Sequence, residues 1–489
     1  MSVSEKIKDS VLELFNLQPD EIKSFDVSSD KDATTIVDIE LLNRKPPCPH
    51  CHMDRIHNKE IVIKNINHAV LSDRKCILRY HAHRYTCLSC GRTFFEHNPF
   101  VFKAQKISVL TVKNILEDLR NPAETFSNIA KRYHLSPTSV ASIFDEHVQM
   151  ERLPLPRYLC VDEVYSFKKE DSKYVCMFVN FETGDPIDVL PSRRKEVLLE
   201  YFMSIPQKER ENVLLVGMDM WDTYRDVAKA VFPNALCVAD HYHIIQEMNR
   251  KIDKVRIRLM KSFPTDSAEY YLLKHFNWMI FKDPDITDRD GKLLFDPNRS
   301  KRFNHKLKLE LNYYEILDLI LSIDPELTES INLKNRCVNF YKHSTYQKAE
   351  QDLKYLIRCF RSSSIPEMRE FGNTLSKWKY EVINSFIVVD HSYTVDYRDG
   401  HVVSHPIKIN SAIMERQNST VKTIKKVTMG MTNWDRFRNR VLYAIRRDSG
   451  FQNLLGTETI GDDNQGQQSG TKMAKCIVAK LKRCNPALF

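Results

Sequence analysis

Hydrophobic and polar positions alternate in two rhythms along this chain, and the changes of rhythm divide it. Within residues 44 to 100 the stretches IVIKN, CILRY and HRYTC alternate with the period of two expected of strands. From 101 to 150 the apolar spacing becomes three and four. Phe126, Ile129 and Ala130 set one short helix, and Val140, Ile143 and Phe144 set a second. The segment ERLPLPR follows at 151 to 157, where two prolines forbid a continuing helix and favour an extended linker. From Tyr158 the pattern predicts a strand, YLCVD, a hairpin, YVCMFVNF-ETGD-PIDVL, and a helix around KEVLLEYFMS. A strand, VLLVG, a helix, TYRDVAKAVF, and a strand, ALCVA, come next. Residues 246 to about 400 read as largely helical. Ile245, Met248, Ile252, Val255 and Leu259 form an apolar stripe there, with Arg250, Lys251, Lys254, Arg256 and Arg258 elsewhere on the same helix. A last helical block runs to about 450.

Composition narrows the class. At 489 residues the chain is long enough for roughly three folded units, taking about 150 residues per domain. Hydrophobic residues at 42% and charged residues at 28% exclude a disordered or fibrous chain. A net charge of +9 fits a polyanionic partner without requiring one. Its distribution says more: between Arg416 and Arg447 there are nine Lys or Arg and one Asp, a candidate phosphate-facing surface. There is no apolar run of 18 residues, and MSVSEKIKDSVLELF lacks the apolar core of a secretory signal. A soluble, cytoplasmic protein with no membrane partner is expected. The polar stretch GDDNQGQQSGTK at 461 to 472 is expected to be mobile, and MAKCIVAKLKRC after it to be a peripheral helix.

Twelve cysteines suit thiols kept reduced, and four of them form two C-x-x-C pairs, Cys48/Cys51 and Cys87/Cys90, separated by 35 residues. Each pair supplies two thiolates from one tight turn, so the four together suit structural tetrahedral Zn²⁺, with the alternating stretches forming the ribbon between them. A redox C-x-x-C is the rival, and it predicts one motif rather than two. His50, His52, His81 and His83 are read as solvated neighbours, and Arg84 as one of several ribbon cations able to contact phosphate.

In AETFSNIAKRYHLSPTSVASIFDEHV, Tyr133 to Ser136 form a turn between two helices, and Ser136 caps the second, with Pro137 at its first position. A helix-turn-helix would present Thr138, Ser139 and Ser142 to a DNA major groove. Many small helix pairs share this spacing without touching DNA.

Three strands, then helix, strand, helix, strand is the order of a ribonuclease H-like sheet, in which the first and fourth strands are central neighbours. Asp162 ends the first predicted strand and Asp219 follows the fourth, so residues 57 positions apart would meet at one sheet edge. Carboxylates so placed suit two divalent cations, Mg²⁺ or Mn²⁺, acting in phosphoryl transfer. The candidate third carboxylate is Glu415 in NSAIMERQNSTVKTIKK, where Glu415, Lys422 and Lys426 share one helix face. An ordinary solvated face is the alternative. Asp240 is read as the cap of the helix from His241. Trp278 and Trp378 are read as buried aromatics before base-stacking platforms.

Taken together, CPHC and HRYTCLSCGRTF, VDE at 161 to 163, MDMWDTYRDVAKAVFPNALCVADHYHI at 218 to 244, NSAIMERQNSTVK and NWDRFRNRVL resemble insertion-sequence transposases of the ISL-three type. The resemblance spans roughly 45 to 450. It implies a multidomain α/β and α protein with a ribonuclease H-like mixed-sheet core and a helical insertion, preceded by a zinc ribbon and a helix-turn-helix. It implies that Asp162, Asp219 and Glu415 ligate the catalytic metals, with 195 residues between the last two, and that Asp240 and His243 match the D-x-x-H element of several transposase groups. The expected partition is an N-terminal segment 1–43, zinc ribbon 44–100, helix-turn-helix 101–153 and first core part 154–245. Insertion 246–404, last core helices 405–450 and a polar tail 451–489 complete it. The expected partner is double-stranded DNA, at transposon ends and target, bound by a dimer or larger assembly. No phosphate loop is present, so no nucleotide cofactor is expected. A non-catalytic DNA-binding regulator and a structure-specific nuclease of the same fold are the rivals.

Overall fold

The computed structural model describes residues 17–68, 74–102, 106–169, 172–395, 402–410, 412–428 and 431–446. The N-terminal stretch to residue 15 and the polar and basic segments at 461–484 lie outside them. The chain divides into two compact units, one from Met1–Glu151 with Thr420–Asp463 and the other from Arg152–Ser419 with Asn464–Phe489, in their described parts.

The first unit opens with β1 (Ile22–Ser29), β2 (Thr35–Leu41), β3 (Ile56–Asn67), β4 (Cys76–Cys87) and β5 (Thr93–Phe95). These form one sheet in the order β1-β2-β4-β3, with β5 paired to β4. Two expectations change here. CILRY and HRYTC are halves of one strand, β4, and the segment before residue 43 is part of the same sheet, because β2 pairs in parallel with Thr35 to Ile39 against Cys76 to Tyr80. Alternation explains β4: Cys76, Leu78, Tyr80 and Ala82 are buried on one face with Val37, Ile39 and Ile66.

Helices α1 (Val109–Asp118), α2 (Phe126–Arg132) and α3 (Pro137–His147) follow. Ser136 Oγ accepts the Ser139 N–H at 3.0 Å, so the expected cap starts α3, and Ile129, Ala130, Val140, Ile143 and Phe144 face inward. His134, in the turn, takes φ of 52°. The remaining face of this helical group is covered from far along the chain. Tyr443 donates to the Leu116 carbonyl at 3.1 Å, Asn439 to that of Val148 at 3.1 Å, and the fully buried Arg440 to the carbonyls of Leu119 and Asn121. These three residues lie in the last described helix, which falls in the first unit, whereas the sequence pattern groups 405–450 with the core.

The second unit contains β6 (Tyr158–Lys169), β7 (Ser172–Asn180), β8 (Pro186–Leu190), α4 (Lys195–Met203), α5 (Gln207–Arg210), β9 (Leu215–Met218), α6 (Asp222–Val231) and β10 (Leu236–Ala239). The sheet order is β10-β9-β6-β7-β8, with β6 parallel to β9 and antiparallel to β7. The first and fourth strands are thus neighbours, as expected. Asp162 does not end its strand. The parallel ladder to β9 covers only Tyr158 to Cys160, and β6 runs on because β7 continues to pair with it through Tyr165. Asp162 lies just past the end of β9's ladder, and Asp219 one residue after β9.

From 241 the chain is helical: α7 (His241–Ser262), α8 (Ala268–His275), α9 (Asn277–Phe281), then α10 (Tyr313–Leu321), α11 (Pro325–His343), α12 (Tyr346–Arg361), α13 (Pro366–Lys377) and α14 (Lys379–Asn384). A short hairpin, β11 (Arg302–Asn304) and β12 (Leu309–Leu311), interrupts the series. A second, β13 (Val388–Val395) and β14 (Val402–Lys408), ends it. Neither was expected. The α7 stripe is buried through Ile244, Met248, Ile252, Val255 and Leu259, with Ile245 only partly covered. Arg256, expected on the charged side, is instead buried, pairing with Asp253 and donating to the Leu273 carbonyl at 2.9 Å. Trp378 is core, and Trp278 packs at its margin. Helices α15 (Ala412–Thr428) and α16 (Trp434–Ile445) complete the described chain; α15 begins in the second unit and ends in the first.

Candidate metal-binding active site

The middle of β6 and the end of β9 bring the site together. Asp162, Glu163 and Asp219 each offer a carboxylate oxygen, all within 4.8 Å of one another. Burial disfavours ionisation of Asp162 and the negative charge of Asp219 adds to this, so its carboxyl is pushed up to about 7. Like charges gathered in a half-buried site favour a cation.

The surroundings hold these oxygens in place. Asn418 donates its amide to Asp162 Oδ2 at 2.6 Å. His243 Nε2 lies 2.7 Å from Asp219 Oδ1. Burial opposes a charge on His243, but the bond to Asp219 and the charges of Asp219, Asp240 and Asp162 outweigh it and raise its pKa. Glu163 accepts from the Tyr224 hydroxyl at 2.7 Å and pairs with Arg193, whose guanidinium lies over the rings of Tyr174 at 4.2 Å and Trp221 at 4.6 Å. Gly217 permits the closest approach. A Cβ there would stand 2.7 Å from Ile409 Cγ2, on the segment leading into α15.

Asp240 caps α7, its Oδ1 accepting the Tyr242 N–H at 3.1 Å, while its buried Oδ2 has no hydrogen-bond partner among the described residues. The carbonyl Oδ1 of Asn418 is orphaned in the same way. Asp240 lines the same cleft as Asp162 and Asp219, so its Oδ2, 3.8 Å from His243 Nε2 and without a hydrogen bond, adds a further hard oxygen to what fits a cation-binding site. Glu415 is exposed in the first turn of α15 and is not one of the three clustered carboxylates. It stands three residues, under one turn, before Asn418, so the two project from neighbouring positions of one helix face. Lys422 and Lys426 are exposed further along α15.

Glu163 and Asn418 were not foreseen. The Asp-Glu pair at 162–163 was visible, but alternation assigns consecutive strand residues to opposite faces. Asn418 gives no sequence signal beyond its spacing from Glu415.

In the first unit the four cysteines converge. Cys48 and Cys90 sulfurs lie 3.7 Å apart and those of Cys51 and Cys87 3.5 Å apart, with all four within 4.8 Å. A tetrahedron with Zn–S bonds of ~2.3 Å has edges of ~3.8 Å, so the set fits Zn²⁺. The two knuckles are built alike. The residue after each pair turns left-handed, His52 at φ 58° and Gly91 at φ 72°, and donates its N–H to the carbonyl of Cys48 or Cys87. N–H groups of Cys90 and Ser89 directed at Cys87 help hold its thiol at about 6. Arg84 pairs with Glu60 at 2.8 Å. On α3, Thr138 and Ser142 are exposed and Ser139 partly so, with the Thr138 and Ser139 hydroxyls each 2.8 Å from Ser136 Oγ.

A mixed sheet whose neighbouring strands deliver clustered acidic residues is an arrangement able to hold divalent cations. Residues 159–395 match the ISL3 family of DDE transposases. The chain is also similar to the transposase for insertion sequence element IS1001 of Bordetella parapertussis, 18% identical over 403 residues, covering 81% of this chain and 88% of that protein. Asp162, Asp219, Asp240 and His243 lie inside the family match, and Glu415 lies beyond it. Among the described residues no helix is long and apolar enough to cross a membrane.

Proposed function

We propose that this protein is a DNA transposase that binds the terminal inverted repeats of its element and catalyses metal-dependent cleavage and strand transfer from a ribonuclease H-like core. The observation that carries this reading is the convergence of Asp162 and Asp219 from neighbouring parallel strands into one half-buried acidic cluster. Asp162 and Asp219 of this cluster, joined by Glu415 from the first turn of α15, hold the metal ions, Mg²⁺ or Mn²⁺. Two such ions, when bound, activate the attacking water or 3′-hydroxyl and stabilise the leaving oxygen.

The chain's own groups do the positioning. Asn418 orients Asp162, and His243, drawn toward its protonated form, holds Asp219 against rotation. Arg193 and Tyr224 fix Glu163. No covalent protein intermediate and no nucleotide is required. In the first unit, the four-cysteine module binds structural zinc, and Thr138, Ser139 and Ser142 of a helix-turn-helix read the major groove. Lys422 and Lys426 contact phosphates. Arg84 does so only by exchanging Glu60 for a phosphate. Pairing two transposon ends calls for a dimer or larger assembly.

The test is incubation of wild type and Asp219→Ala with labelled transposon-end DNA and Mg²⁺ or Mn²⁺, resolved on a denaturing gel. Metal-dependent joining that vanishes in the variant is expected. Cleavage without joining would instead indicate a nuclease, and binding with neither a regulator.

A further inference from the structure

Beside the acidic cluster lies an open cleft lined by Lys173, Tyr174, Arg193, Arg194, Lys195 and Trp221. Its volume of about 660 Å³ lies within the ~300–1000 Å³ of pockets that hold one small molecule, so it is the open form and the charge of the cleft, not its size, that suit a polymer passing through. Four cations line it against one carboxylate, Glu196. The cleft is joined to the site through two residues. Arg193 reaches from the cleft to Glu163, and Trp221 follows Asp219 by two positions. Lys195 pairs with Asp226 at 3.3 Å, and both side chains are about half exposed. Such a pair contributes little and yields readily to a phosphate.

We propose that this cleft binds the sugar-phosphate backbone of the DNA strand being cut, with Lys173, Arg194 and Lys195 contacting phosphates and Arg193 set closest to the scissile one. Trp221 and Tyr174 keep the Arg193 guanidinium flat and fixed between two rings, so that it meets phosphate oxygens with little loss of freedom. The assignment rests on the transposase reading. It adds a strand-holding surface built from β7, the loop before α4 and the loop after β9, separate from the repeat-reading elements of the first unit.

The experiment uses the full chain and a fluorescein-labelled duplex carrying the transposon end, with affinity read by anisotropy from 50 to 300 mM salt. Lys173→Glu/Lys195→Glu changes two exposed side chains and is expected to keep the melting temperature. Each lost phosphate contact lowers the slope of log affinity against log salt by ~0.9, so the double variant is expected to lose about two in slope. Lys208→Glu, exposed on α5, serves as the control and keeps the wild-type slope. In parallel, Lys195→Cys bearing a photo-crosslinker is expected to label nucleotides adjoining the cleavage position. A wild-type slope in the double variant, or crosslinks confined to the interior of the repeat, would overturn the cleft assignment while joining by the wild type kept the transposase reading intact. A wild type that neither binds nor joins any transposon end would remove both.

Discussion

Replacing Asp162 by Asn should abolish catalysis and yet stabilise the metal-free protein. The reason is electrostatic. The Asp162 carboxyl is pushed up to about 7 from its ordinary value of 3.8 by burial and by Asp219. A raised acid pKa means that the folded state binds the proton more tightly than the unfolded chain does. Stability is therefore lost as pH rises from 3.8 toward about 7 and stays lost above it. Three pKa units correspond to ~4 kcal/mol at most, and solvent reaching the half-open site reduces this to roughly 2 kcal/mol. The substituted amide cannot titrate, and its oxygen still accepts from Asn418. In EDTA-treated protein followed by scanning fluorimetry, the variant should melt above wild type at pH 8, with the gap closing by pH 4. Adding Mg²⁺ should reverse the order at pH 8, because a ligand that binds only the folded state stabilises it and the variant has lost a ligand. A variant melting at or below wild type throughout, or stabilised by Mg²⁺ as strongly, would refute the reasoning.

Other outcomes follow from the same geometry. Asn418→Ala should weaken Mn²⁺ binding by about 10–100-fold in calorimetry with little change in melting temperature, since it removes the group orienting Asp162 rather than a ligand. Gly217→Ala should cost ~1–3 kcal/mol and lower strand joining by forcing Ile409 away, and Ile409→Ala in the same chain should recover part of the loss, as read by melts and gels. Metal analysis should find one zinc per chain, lost in Cys51→Ser together with binding to terminal-repeat DNA. Arg440→Ala should destabilise the first unit by roughly 2–5 kcal/mol and abolish repeat binding, because the carbonyls of Leu119 and Asn121 lose their buried donor.

The parts of the structure legible in the sequence are those where one periodicity decides one contact. The strands and helices from Tyr158 to Ala239 fall almost where apolar runs and helical spacing put them, since β8 and β9 are buried along their whole length while α4 and α6 each bury one stripe. Asp162 and Asp219 could be joined because strand order in a mixed α/β sheet is constrained by connection rules. What the sequence concealed depends on partners distant in the chain. Nothing local in Thr35 to Ile39 shows that it pairs with a strand far later in the chain, or in Arg440 that its charge is buried to satisfy a carbonyl 321 residues earlier. The same holds at the site. Asn418 matters because its amide meets Asp162 across 256 positions, and a neutral amide in a basic helix carries no compositional mark.

The placement of α15 and α16 has a mechanistic consequence. Glu415 stands in the first turn of α15, a helix whose last residues belong to the first unit, and α16 anchors that unit's helical group through Arg440, Asn439 and Tyr443. A chain cut back before α16 would lose support for the proposed repeat-reading helices while keeping every acidic residue of the cluster. Truncation after Thr428 should therefore abolish repeat binding before it abolishes Mn²⁺ binding, with calorimetry and anisotropy on the same preparation separating the two. Equal loss of both would mean that the cluster itself depends on α16, and the two units would then have to be treated as one folding block.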